Sequence, residues 1–300
     1  MPTPDATRTP RCPRCGYDLS GQVDTWRESC PLEGVCTECG LSIRWTTLLG
    51  PGAVAPLWSV EHCRMRRLPL ASFETLLRAA IPFRYWRGVS LHHPVRPMRL
   101  ALWWSVPAVV AWLIVFGVEC FDLWYWMASR PPQWRYTPTL DHMLRLAWRP
   151  IVSVSWYDQS EGWATDPVVI GSLGISSGFA LAATVARSVR KPRILQRHLV
   201  RAWFISLAGP IAYVAAGVLD EVRVRAMEDA YYFRGLHGEW RIVTLLGLSI
   251  WFAWFWRTAF HDGFQISRCW PLIVAGWWIG VPLGVLLAIG VDAWALTLFT

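Results

Sequence analysis

RCPRCGYDLS (residues 11–20) and CTECGLSIRW (residues 36–45) carry one short figure twice, Cys-x-x-Cys-Gly. Two intervening residues put both thiolates of a pair on one tight turn, where both sulfurs reach a single tetrahedral ion. The glycine behind each pair suits a backbone that turns back at positive φ and leaves its amides free for sulfur. Twenty residues separate the pairs, within the spacing of four-thiolate zinc sites. The pattern predicts a structural zinc ion (Zn2+) held by Cys12, Cys15, Cys36 and Cys39. Such a closed site has no open coordination position, so its work is to fold a short segment rather than to catalyse. Cys30 is a fifth thiol nearby, and it would enter the site only by breaking the second pair.

Charge argues about what this zinc ribbon touches. Arg8, Arg11, Arg14, Arg27 and Arg44 are offset by Asp5, Asp18, Asp24, Glu28, Glu33 and Glu38. A phosphate-binding face needs a basic surplus, so a protein partner is expected and nucleic acid is not.

Outward from the ribbon the composition changes class. The 300 residues are 54% hydrophobic and only 17% charged, with 22 tryptophans. Long apolar runs at that composition mark a membrane protein. The net charge is +8, and every basic residue except Lys191 is arginine. Five of the eight cysteines fall in the first 39 residues, and their paired spacing favours metal thiolates in a reducing cytoplasm over disulfides. The first 40 residues hold no apolar signal core.

Residues 64–99 carry Arg64, Arg66, Arg67, Arg78, Arg84, Arg87, Arg96 and Arg99 against Glu74 alone. Ser72 suits an N-cap with Glu74 in the first turn. Phe73, Leu76, Leu77, Ala80 and Ile81 then share one helical face, and Pro82 ends it. With Phe83, Tyr85 and Trp86 as anchors, the segment reads as a helix on an anionic inner leaflet, contacting lipid through Arg64, Arg66, Arg67, Arg78, Arg84 and Arg87. His92 and His93 read as interfacial loop residues.

Five apolar stretches approach the length of a membrane-spanning helix: 100–118, 168–186, 202–219, 242–260 and 271–291. Basic residues crowd the segments before the first span and at 187–201, whereas 119–166 and 220–241 hold more acids than bases. The positive-inside rule therefore puts the N-terminus in the cytoplasm and the C-terminus outside. Domains follow: a ribbon over 1–50, a basic juxtamembrane segment over 51–99, and a five-helix bundle over 100–300 with a long outer loop at 119–166. The fold class is an all-α polytopic membrane protein with a small N-terminal zinc ribbon. Asp166 and Pro167 suit the start of the second span.

Gly174 and Gly178 form one GxxxG, and Gly276, Gly280 and Gly284 a doubled one, which is a pattern of close helix packing and of homo-oligomer formation. Gly174 to Gly178 also matches G-x-S-x-G, but inside an apolar span with no histidine in any span it lacks the context of a nucleophile elbow. The spans carry no central charge of the kind that marks a transport path. No HExxH, Walker A or dinucleotide-binding glycine pattern occurs.

The pieces RCPRCGYDLSG and WRESCPLEGVCTECG resemble, over residues 11–45, the zinc ribbon ahead of transmembrane bundles in many bacterial membrane proteins. That resemblance implies a cytoplasmic ribbon and no particular reaction. HLVRAWFISLAGPIAY (198–213) and FQISRCWPLIVAG (264–276) are similar to helix-entry segments of the Yip-domain family of five-span membrane proteins. It implies a cytoplasmic N-terminus, a role in membrane organisation and no catalytic residues.

The expected function is non-enzymatic: a bundle in the bacterial inner membrane presents the ribbon to a protein partner. The competing readings are a transporter or channel subunit regulated by the ribbon, and a membrane enzyme with an outer-face site from Asp141, His142, Asp158 and Glu161.

Overall fold

The structure is a computed structural model, and it describes residues 9–26, 29–49, 55–89, 91–129, 167–189, 194–210, 237–266 and 268–299. The described residues are mostly helical, with one small antiparallel hairpin near the N-terminus. They divide into two units: residues 1–103, 176–208 and 251–279 in the first, and 104–175, 209–250 and 280–300 in the second.

The first unit begins with a short helix α1 (Ser20–Val23), then β1 (Glu33–Val35) and β2 (Ser42–Arg44), paired with Gly34 opposite Ile43, and α2 (Trp45–Leu49). Leu19, Leu41, Ile43 and Trp45 are the buried apolar side chains of this segment besides Cys12 and Cys36. Gly34 is required there, because a Cβ would stand 2.5 Å from the Trp45 indole. So small a core needs a cross-link, as segments below about 40 residues usually do.

Helix α3 runs Leu68–Ala80, one turn earlier than the sequence reading. Pro69 sits in its first turn, where a missing N–H costs nothing. Ser72 is therefore no cap: it lies inside the helix and its Oγ donates to the Leu68 carbonyl at 2.7 Å. The buried side of α3 consists of the small residues Ala71, Thr75 and Ala79, while Phe73, Leu77 and Ala80 are exposed and Leu76 and Ile81 half-buried. Helix α4 (Pro82–Gly88) follows. Its Tyr85 and Trp86 are buried against Trp58, Phe255 and Phe264, so they are core residues and not membrane anchors. His93 is likewise buried, not interfacial.

Helix α5 spans Pro97–Ser129, so residues 119–129 extend a helix where the sequence suggested the start of a loop. Helix α6 spans Pro167–Val189, opening on proline. Helix α7 covers Gln196–Ser206, starting six residues before the expected span and breaking at Leu207. Its start is set by buried His198, Leu199 and Arg201, which pack in the first unit, so Arg201 is a buried helix residue and not a loop charge. Helix α8 (His237–Thr258) runs into a π turn at Ala259–Gly263, and α9 covers Trp270–Phe299. Among the described residues, Val169–Ala186 and Trp270–Leu287 are long and apolar enough to cross a membrane, by length and composition.

Glycines let α6 and α9 approach closely. Within the second unit, a Cβ on Gly174 would lie 2.2 Å from the Gly284 Cα, and one on Gly280 2.8 Å from the Ile175 Cα. Within the first, Gly276 faces the Phe179 ring at 2.2 Å. Large side chains at these positions would force the helices apart.

Candidate metal centre

The two Cys-x-x-Cys-Gly turns close in the same way. The Gly16 N–H donates to the Cys12 carbonyl at 2.8 Å, and the Gly40 N–H to the Cys36 carbonyl at 2.8 Å. Both glycines take positive φ, 77° and 69°, a region costly for any residue with a Cβ.

The turns bring Cys12, Cys15, Cys36 and Cys39 together, with all four sulfurs within 4.8 Å of one another. Cys12 and Cys39 Sγ lie 3.6 Å apart, and Cys15 and Cys36 Sγ 3.7 Å apart. Four thiolates at about 2.3 Å from a tetrahedral zinc stand roughly 3.8 Å from each other. The cluster is therefore the right size to hold a metal ion such as zinc. The Cys12 thiol is lowered to about 5, chiefly because the Cys39 thiol donates to its sulfur. Burial raises Cys15 to about 11, and donating to Cys12 pushes Cys39 up. One thiolate is gathered by its neighbours' protons, a role a dication takes over when bound. Cys30 is exposed, its Sγ donating to the Pro31 carbonyl, and stands outside the cluster.

The first turn is docked. Leu195 N–H donates to the Arg14 carbonyl at 2.8 Å, and His198 Nε2 bonds the Pro13 carbonyl at 2.9 Å. Leu195 Cδ2 would be 3.2 Å from a Cβ on Gly16. In the second turn Thr37 and Gly40 are exposed. Beside it, Leu32 and Val35 leave the hairpin with 76% and 58% of their surface open.

A buried ion pair fixes the element that receives the first turn. Arg201 Nε donates to Glu61 Oε2 at 2.7 Å, with side chains 2% and 0% exposed. Arg201 Nη2 also donates to the carbonyls of His93 and Pro94, and the Arg96 amide donates to Glu61 Oε1. The pair ties the 59–63 turn, the 93–96 turn and α7 together. Sequence reasoning missed it: Glu61 lies 140 positions from Arg201, and Arg201 sat among basic residues assigned to a loop. Burial holds His198 and His62 near 4, so both are neutral at physiological pH.

The other expected positions scatter. Arg64, Arg66, Arg67, Arg84 and Arg87 are exposed, and Arg78 stacks over Trp58 at 4.2 Å. Ser176 is buried and hydrogen-bonded to Ser206 Oγ, with no histidine or carboxylate bonded to either hydroxyl among the described residues. Asp141, His142, Asp158 and Glu161 lie outside the described residues.

No family model matches this chain, and no curated protein or solved structure is significantly similar to it. The Yip-domain resemblance therefore has no family match behind it.

Proposed function

We propose that this chain is a non-enzymatic integral membrane protein. On this reading its zinc ribbon is clamped to a cytoplasmic juxtamembrane layer and offers its outer edge to a protein partner. One observation carries the reading. The helix ends that charge assigns to the cytoplasm are the start of α5, the end of α6, the start of α7, the end of α8 and the start of α9. All lie in chain ranges of the first unit, with the ribbon. Alternating spans would sort their ends in this way. The second unit adds support: Val109, Leu113, Leu246, Ile250, Val285 and Ile289 are exposed apolar side chains on its helices, as lipid-facing positions are. Five spans then cross the inner membrane, with the N-terminus inside and the C-terminus outside.

The exposed stripe of α3, with Phe73 and Leu77 flanked by Arg66, Arg67 and Arg84, would rest on anionic lipid. Zinc at the four thiols supplies folding energy to the ribbon and no reaction. Leu32 and Val35 would make the partner contact.

The test is partner recovery from native membranes with the intact chain and with a Leu32→Asp/Val35→Asp variant. That variant keeps the four thiols and the dock of the first turn. A discrete partner lost only from the variant supports the reading. Equal recovery, or no partner, reduces the ribbon to an internal clamp.

A further inference from the structure

The first unit contains a cleft of about 460 Å3, within the size range of small-ligand sites. It is walled by Ser42 from β2, Arg87 from α4, His92, and the π turn with His261 and Asp262. None of the four thiols lines it. We infer that this cleft binds an anionic phosphate ester, with Arg87 as the charge partner and His261 as a hydrogen-bonding partner.

The argument begins with the backbone. Two irregularities converge on this wall. The π turn over Ala259–Gly263 widens the helix end where His261 and Asp262 emerge. Gln265, also on the wall, has φ 55°, the one positive φ outside glycine among the described residues. Such features gather at functional sites and persist only where the surroundings hold them. Here the holding is visible. Trp86 packs against Phe255 and Phe264, and a Cβ on Gly263 would stand 2.5 Å from the Trp86 ring. The floor is thus a packed aromatic layer that keeps the cleft preformed.

Charge then selects the ligand. Asp262 Oδ1 bonds His261 Nδ1 at 2.7 Å, which engages the carboxylate lining the cleft. This contact orients the ring: Nδ1–H donates to the carboxylate, and Nε2 of the neutral ring is left as an acceptor for the P–OH of a phosphate monoester. Arg87 has no carboxylate partner among the described residues, and its guanidinium lies 5.3 Å from the Phe83 ring. An unpaired guanidinium beside an oriented imidazole and the Ser42 hydroxyl suits a phosphate better than a cation or an apolar ligand. The same chemistry belongs to a soluble phosphomonoester and to a phospholipid headgroup.

The experiment uses the zinc-loaded full chain and phosphorus NMR. One arm titrates inorganic phosphate and glycerol phosphate into nanodiscs of zwitterionic lipid; the other replaces a tenth of that lipid with phosphatidic acid. Specific broadening in either arm, weakened at least tenfold by Arg87→Gln and not by Arg268→Gln, is the expected result. Arg268 is exposed and does not line the cleft, so its loss removes the same charge elsewhere. The arm that responds identifies the source of the phosphate. Equal weakening by both variants, or no broadening in either arm, overturns the inference. Should Arg87→Gln lose zinc or its cooperative melt, His261→Gln replaces it in the same comparison: selective weakening supports the cleft, and weakening no greater than that of Arg268→Gln overturns it.

Discussion

The two Cys-x-x-Cys-Gly turns are chemically twins and structurally unequal. Cys12–Gly16 and Cys36–Gly40 share their closing hydrogen bond and positive-φ glycine. Yet Pro13 and Arg14 are buried and their carbonyls accept bonds from Leu195 and His198, while Thr37 and Gly40 face solvent. The motif specifies how four sulfurs converge. It does not specify what the outside of each turn touches, because those contacts use backbone carbonyls that any residue type presents.

Metal removal should have the largest effect and should reach beyond the ribbon. Structural zinc contributes about 10 kcal/mol or more of binding energy that is also folding energy. Chelation, or Cys12→Ser with Cys15→Ser, is expected to abolish hydrogen-exchange protection at the ribbon amides and at Leu195 N–H together. Protection at Leu195 that survives complete zinc loss would show that the dock stands without the metal.

The next effect tests the receiving side. Arg201→Met leaves Glu61 buried and unpaired, which costs about 3–5 kcal/mol. Glu61→Gln with Arg201→Met should recover much of that loss in chemical denaturation, since no lone charge then remains buried. If the single and double variants are equally unstable, the pair is not what holds α7.

How much of this was legible depends on the kind of signal. The four ligands follow from local spacing, and the glycine φ values from the turn that spacing demands. The dock does not, because Arg14 and Leu195 meet through backbone atoms. Glu61 and Arg201 were invisible because a single sequence gives no hint of pairing across so long a separation. In α3 the large apolar residues formed a readable stripe. The helix, however, buries Ala71, Thr75 and Ala79, and hydrophobic periodicity is nearly blind to small residues. Tyr85 and Trp86 looked like interface anchors since aromatics beside arginine are common there; packing against Phe255 and Phe264 makes them core.

Acid should separate the turns at a smaller scale. Burial depresses His198 to about 4 in the folded chain, against an ordinary value near 6.5. A depressed histidine contributes stability that is full above the unfolded value and is lost as pH falls from about 6.5 towards 4. Between pH 8 and pH 5 its share is about 2 kcal/mol. His198→Gln, which can still donate to the Pro13 carbonyl, should lower the acid sensitivity of unfolding by that amount. Identical pH profiles for the two proteins would mean that His198 is not held neutral by the dock.

The smallest effect is the most direct comparison of the twins. Gly16→Ala and Gly40→Ala each force a Cβ into the left-handed region, at about 1–2 kcal/mol apiece. Gly40 has nothing within 4 Å of the added carbon, so strain is its whole cost. Gly16 adds a 3.2 Å approach to Leu195 Cδ2, and that side chain must shift against the dock. Gly16→Ala is therefore expected to be the worse variant by about 1 kcal/mol, with exchange at Leu195 rising only there. Leu195→Ala in the Gly16→Ala background removes the crowding atom and should bring the strain cost of the first turn down to that of the second. If the two glycine variants instead lose equal stability and neither alters Leu195, the close approach carries no energy and the asymmetry rests on the two backbone hydrogen-bond acceptors alone.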